Sequence, residues 1–264
     1  MKKNALFAGL VCLLTVLAAA AAWSQDFERS YPVSPDGRVS ISNVSGEIRV
    51  AGYNGTSVLV TAYREGRDRD MVEIVDESTS GEVVLKVRYP QGGGGYDASV
   101  RFLVQVPRGV PCRLDSLSTA SGNIAIEDVA GLIRARTASG DVTVSGAEGD
   151  VNASTASGDI VVRGARGLVT AKTASGDVEV ELTQVGDQGE MAFSSASGDV
   201  TVRVPGQLDA DVLMSTASGS LDSDFPLTLD DREGHGKKAF GKVGSGAISL
   251  KISTASGNVR LVHS

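Results

Sequence analysis

Short runs of alternating apolar and polar residues fill this chain. Between Thr137 and Ser154 apolar residues alternate at Val142 and Val144, then at Val151 and Ala153. The preceding unit carries Ile124 and Ile126, then Ile133 and Ala135; the following unit carries Ile160 and Val162, then Val169 and Ala171. A period of two over so few residues, bounded by glycine, predicts short β-strands. Each 18-residue unit holds two of them and two Gly-containing corners.

One phrase marks the units. Variants of Thr-Ala-Ser-Gly-Asp-Val start at Thr119, Thr137, Thr155, Thr173, Ser195, Thr216 and Thr254. The first four starts are 18 residues apart, and the later gaps are 22, 21 and 38. Eighteen residues, at about 3.3 Å per strand residue, trace a closed loop of two or three short sides and bury almost nothing alone. Stacked about 4.8 Å apart, such loops pair through their backbones and align their Val/Ile columns into one interior. The expected fold is therefore all-β: a single-stranded parallel β-helix (β-solenoid), right-handed, with about 18–20 residues per coil.

The phrase is expected to make the corners, at Ser121-Gly122-Asn123, Ser139-Gly140-Asp141, Ser157-Gly158-Asp159, Ser175-Gly176-Asp177, Ser197-Gly198-Asp199 and Ser256-Gly257-Asn258. Gly supplies the geometry, and Asp or Asn is expected to accept from local backbone N–H groups. A Ca²⁺-binding ladder of carboxylates is the sharper alternative. Against it stand the single acid per corner and the breaks at Asn123, Ser220 and Asn258, so no metal or cofactor is expected.

The front half also reads as strands, at Arg38–Ser42, Glu47–Val50, Val58–Tyr63, Met71–Val75, Glu82–Tyr89, Ser99–Val106 and Cys112–Leu117. The corner recurs faintly at Ser45-Gly46 and Ser80-Gly81. Residues 25–118 are thus the first coils of the solenoid or a cap on it, and 119–264 are regular repeats with an inserted loop at 222–246. That loop, and the glycine-rich Gln91–Asp97, are the interruptions where binding residues would sit. Asp222–Gly246 contains an acidic run and His235, and its plainer reading is a solvated polar hairpin.

Composition narrows the class. Aromatics are only 5%, as a narrow coil interior demands, and 32 glycines serve the corners. Residues 1–24 open with Lys2-Lys3, run apolar from Ala5 to Ala22 and end on small residues, which predicts a secretory signal peptide. Cleavage after Ser24 leaves a polar start; cleavage after Ala22, or an uncleaved anchor, are the alternatives. Losing Lys2 and Lys3 takes the formal charge from −7 to −9, which argues against nucleic acid and against a basic patch for anionic lipid. No second apolar stretch approaches spanning length, so no stable membrane span is expected after cleavage. Cys112 is then the one cysteine left, expected as a buried apolar residue.

No catalytic constellation emerges. Two histidines, His235 and His263, lie in no metal or phosphate motif, and no serine is marked as a nucleophile. The repeat half has no Trp or Tyr to serve as a sugar platform.

Two phrases, Val39-Ser40-Ile41-Ser42-Asn43-Val44-Ser45-Gly46-Glu47-Ile48-Arg49-Val50 and Val104-Gln105-Val106-Pro107-Arg108-Gly109-Val110-Pro111, resemble the bacterial "putative adhesin" β-strand-repeat family, whose function is unknown. So do the repeat units and Gly241-Lys242-Val243-Gly244-Ser245-Gly246. The resemblance implies an exported β-solenoid with no known cofactor or catalytic residues. The expected function is a non-enzymatic adhesin-like scaffold of the cell envelope, exported to the periplasm, with the cell surface or secretion as alternatives. It would present outward columns such as Arg136, Ser154, Lys172 and Ser194 to an envelope protein or a surface polymer. A carbohydrate-active β-helix enzyme, or an envelope sensor whose coil end pairs with another chain, are the other readings. The oligomeric state is not legible.

Overall fold

The computed structural model describes residues 26–90, 95–230 and 236–264. The leader with its cleavage point after Ser24 lies outside the described residues, as do His235 and the first part of Gln91–Asp97.

The alternating pattern becomes strands almost everywhere it occurs. The chain opens with β1 (Phe27–Pro32), β2 (Arg38–Ser42), β3 (Ile48–Tyr53) and β4 (Ser57–Glu65). After one 3₁₀ turn at Arg69–Met71 come β5 (Glu73–Asp76), β6 (Glu82–Arg88) and β7 (Ser99–Pro107). The repeats follow: β8 (Arg113–Ser121), β9 (Ile124–Glu127), β10 (Ile133–Ser139), β11 (Val142–Ser145), β12 (Val151–Ser157), β13 (Ile160–Gly167), β14 (Val169–Ser175), β15 (Val178–Val185), β16 (Gly189–Ser197) and β17 (Val200–Val204). The end holds β18 (Ala210–Ser218), β19 (Leu221–Ser223), β20 (Thr228–Asp230), β21 (Lys237–Val243), β22 (Ile248–Ser256) and β23 (Val259–His263). Of these, β1 had no counterpart in the expected strands, because Phe27–Pro32 lies at an edge and buries no residue fully.

Repeat strands alternate between two sheets. Sheet A has the order β1-β4-β7-β3-β9-β11-β13-β15-β17-β23-β19, and sheet B the order β20-β21-β18-β22-β16-β14-β12-β10-β8-β2-β6-β5. Pairing within the repeats is parallel. Val142 lies opposite Ile160 and Ile160 opposite Val178, each 18 positions on, whereas Val178 meets Val200 across 22. Inward residues of both sheets form one apolar core. In sheet A one inward column runs Ile48, Ile124, Val142, Ile160, Val178, Val200 and Val259, all buried. Burial of each such side chain contributes about 1.5–3 kcal/mol, which a lone coil could not gain.

Rung order departs from chain order at both ends. In sheet B, β2 sits between β6 and β8; in sheet A, β3 sits between β7 and β9. At the other end, β22 lies between β16 and β18, and β23 between β17 and β19. The C-terminal rung is therefore next to last in space, which accounts for the 38-residue gap from Thr216 to Thr254.

Expected parallel coiling also fails at three of the four sheet edges, the exception being β19, which pairs parallel with β23. β1 and β4 run antiparallel outside β7, β5 runs antiparallel outside β6, and β21 and β20 run antiparallel outside β18. A bare parallel edge would template aggregation, and these strands cover it. The inserted segment at 222–246 is, in its described part, the hairpin of the plainer reading: β20 and β21 run antiparallel, and they close sheet B. Ser80-Gly81 is no coil corner. It turns the antiparallel β5–β6 hairpin, and a Cβ on Gly81 would meet no atom beyond its chain neighbours within 4 Å.

Candidate functional site

The repeated phrase builds one edge of the molecule. Its glycines stack in the spatial order Gly46, Gly122, Gly140, Gly158, Gly176, Gly198, Gly257, Gly219, each close against the carbonyl of the one before. A Cβ at any of the seven after Gly46 would collide with that carbonyl, so the corner admits glycine alone. The Asx residues do more than cap a local turn, and here the expectation is corrected. Asp159 N–H donates to Asp141 Oδ1 at 2.9 Å, Asp177 N–H to Asp159 Oδ1 at 2.8 Å, and Asp199 N–H to Asp177 Oδ1 at 2.8 Å. Asn123 begins this chain and Asn258 continues it to Ser220, following rung order rather than chain order. At Asp199 the backbone N–H and side chain of Asn258 hold the carboxyl below the usual carboxylate range.

Reading the sequence missed the threonine of the phrase. Thr137, Thr155, Thr173 and Thr254 are buried, and each hydroxyl donates to the corner carbonyl of the adjacent rung: Gly122, Gly140, Gly158 and Gly198. The signal was present, since only Thr or Ser fills that position in all seven copies. The serines Ser121, Ser139, Ser157, Ser175, Ser197 and Ser256 are exposed beside the glycines. Among the described residues no three metal-ligating side chains converge. Each Asp in the interior of the ladder already accepts a backbone N–H.

Chemistry worth weighing lies on the outer face of sheet B. There the register aligns Arg136 with Ser154, Ser154 with Lys172, and Lys172 with Ser194, as the spacing predicted. Beyond Ser194 the column continues through Ser253 and Ser215 to Lys238. On the other side it passes from Arg136 to Ser118, Ser42 and Lys86. From β6 to β21 this column contains serine, lysine and arginine and no acid. The adjacent column, Arg134, Asn152, Thr170, Ala192, Lys251 and Leu213, has none either. A chain of net charge −7 has placed Asp141, Asp159, Asp177 and Asp199 on the corner edge and left these two columns basic, while Glu190 beside them is tied to Lys251 at 2.8 Å.

A bulge breaks the flatness of that face. Leu114 pairs with Ile133 and Leu117 with Ala135, so β8 fits Asp115 and Ser116 opposite the single Arg134. Bulges re-aim side chains, and this one opens a groove of about 380 Å³ lined by Asp115, Ser116, Ser118, Arg134, Arg136, Asn152 and Ser154, with backbone and apolar atoms of Leu117 and Ala135. Asp115 meets three guanidinium groups: Arg134 Nη1 at 3.0 Å, Arg113 Nε at 3.4 Å and Arg38 Nε at 3.4 Å. Arg136 Nε donates to Ser154 Oγ at 3.3 Å. Three arginines thus surround one carboxylate, with Arg136 on the neighbouring column and Glu82 in register beside Arg38. At the far end of the same face Leu213 and Phe240 pair and are exposed.

The other singled-out residues lie elsewhere. His263 packs on Phe225 with ring centroids 4.5 Å apart, at the end of β23. Cys112 is buried, and burial pushes its thiol pKa up. Among the described residues no helix is long and apolar enough to cross a membrane.

Comparison with known proteins bears on the fold as a whole. No curated protein compared with the sequence matches it. Among solved structures, a "putative adhesin" from Bacteroides fragilis is 12% identical with a TM-score of 0.44, covering 89% of this chain and 96% of that one. A "putative cell adhesion protein" from Clostridium sporogenes is 12% identical with a TM-score of 0.40, covering 90% and 99%. A "putative lipid binding protein" from Parabacteroides distasonis is 14% identical with a TM-score of 0.41, covering 88% and 96%. The family described as Toastrack DUF4097 matches residues 32–262, nearly all of the described structure, and the chain belongs to that family.

Proposed function

We propose that this protein is an exported, non-enzymatic, adhesin-like scaffold of the cell envelope, and that it binds through the outer face of sheet B. The observation that carries the reading is the acid-free column from Lys86 to Lys238, held in register across ten strands of an otherwise acidic chain. Its scaffold is read as a right-handed β-solenoid with about 18–20 residues per coil, entering the periplasm by cleavage after Ser24. Every strand between the edges is paired on both sides, so the column is rigid and pre-organised for a repetitive partner. A binding role also suits the groove's chemistry. Glycoside cleavage generally uses two carboxylates flanking the bond, and this groove has one, engaged by three arginines.

The test uses labelled protein spanning residues 25–264 and isolated envelopes. Saturable binding is expected, lost when Lys172, Ser194 and Ser253 are replaced by glutamate and kept when the sheet A residues Thr143 and Thr201 are replaced likewise. Equal loss from both faces, or no binding by the parent chain, would overturn the proposal. Export is checked separately by the mass of the chain recovered from the periplasm, which should begin at Gln25.

A further inference from the structure

The bulge in β8 marks one place on the face as different from the rest. Along most of the column, basic side chains stand singly among serines. At the bulge, Arg134 and Arg136 flank a groove whose other polar side chains are Asp115, Ser116, Ser118, Asn152 and Ser154. Arg134 is tied to Asp115, yet that single carboxylate is shared with Arg38 and Arg113 and leaves the cluster cationic. Guanidinium groups present planar pairs of N–H donors that match carboxylate and sulfate oxygens. Hydroxyl and amide groups between them suit the neutral hydroxyls of a sugar.

We propose that this groove is a subsite for a charged residue of a linear anionic polysaccharide, whose chain continues along the column toward Lys172. Lys172 lies two strands beyond Arg136, about 10 Å away at the usual strand spacing, so a second anionic group on the same polymer can reach it. The protein's overall negative charge does not prevent this. At physiological salt the screening length is about 8 Å, and acids on the corner edge are largely screened from a ligand in the groove. A polymer suits the site better than a membrane: the groove is a line of polar groups, and the exposed pair Leu213 and Phe240 stands at the far end of the sheet.

This inference rests on sheet B being the binding face, and its test separates the two claims. Alginate, a polyuronate, and dextran sulfate are titrated against the chain spanning residues 25–264, with neutral dextran and phosphatidylglycerol vesicles as the comparison probes. Alginate and dextran sulfate should bind, and binding should weaken as salt rises. R134Q/R136Q should bind alginate about tenfold or more weakly, with an unchanged circular dichroism melt. The same charge change on sheet A, R163Q/R203Q, should leave binding within about twofold. If R134Q/R136Q fails to fold, R134K/R136K takes its place. It keeps the charge but loses the planar fork, and weaker alginate binding is again expected. Equal losses from the two faces, neutral dextran binding as well as alginate, or capture only by the vesicles would each overturn the subsite. Envelope binding that survives R134Q/R136Q, with alginate binding absent, would remove this inference and leave the proposed scaffold standing.

Discussion

At Gly158 the backbone holds φ at +143°, and the carbonyl of Gly140 fills the space where a Cβ would stand. Both the conformation and the close approach exclude any other residue. Gly158→Ala is expected to cost about 2–3 kcal/mol, read as a lowered midpoint in urea unfolding. Its neighbour Asp159 obeys a looser rule. The next rung asks only for a side-chain oxygen at that position, as Asn123 and Asn258 show. Asp159→Asn should therefore melt with the parent, while Asp159→Ala, which leaves Asp177 N–H without its acceptor, should melt about 2–4 °C lower. Equal melting of the Ala and Asn variants would show that the ladder contributes nothing. At this scale the sequence was legible where one residue type recurs for one reason: glycine for space, Val and Ile for the interior. The partners of Asp and Thr were not legible, because each acts on the adjacent rung and a repeat read alone has no adjacent rung.

Among the elements, the N-terminal edge strands show how the two sheets are joined. β1 ends sheet A and β5 ends sheet B, and Asp76 of β5 accepts from Arg29 Nη1 at 2.6 Å and Tyr31 Oη at 2.8 Å, both on β1. Burial opposes the charge on Asp76. It is outweighed by the hydroxyl and backbone N–H of Ser78, the Tyr31 hydroxyl and the Arg29 guanidinium, which hold the carboxyl below the usual range. Burial and the bond to Asp76 push the Tyr31 phenol up in turn. Because the folded pKa of Asp76 lies below its unfolded value of about 3.9, its stabilisation is complete above about pH 4 and is lost as pH falls through the folded value. The difference in melting temperature between the parent and Asp76→Asn should hold steady from pH 7 to pH 5 and shrink in stronger acid. A difference unchanged at about pH 2.5 would count against this junction. The strands themselves were legible in the alternation, but β1 was not, and neither was the direction of β4, β5 and β21. An edge strand has one paired side, so its pattern is weak, and no local pattern encodes whether its neighbour runs with it or against it.

For the whole molecule the consequential fact is the rung order. In an ordinary solenoid the C-terminal repeat can be removed with the loss of one interface. Here β22 and β23 pair on both sides, so removing residues 248–264 takes away two rung interfaces and separates β18 and β19 from the stack. The truncated chain is expected to lose cooperative melting and to aggregate, measured by circular dichroism and light scattering. A truncated chain that melts as one unit close to the parent's temperature would show that β18 and β19 can dock directly on β16 and β17.

The sequence by itself determined the class of fold, the residues that face inward, the glycine corners and the alignment of Arg136, Ser154, Lys172 and Ser194 on one face. Each follows from periodicity within a unit and from the constant spacing of units, which local sterics and burial suffice to impose. Tertiary structure alone decided which rung lies beside which, which edges are covered, and where the bulge at Asp115 gathers arginines from β2, β8 and β10. The physical reason is degeneracy. The phrases carry nearly the same partners, with Ser195 for Thr and Ser220 for Asx the exceptions, so most rungs could pair with any other, and the choice falls to connections and end strands that lie outside the repeat.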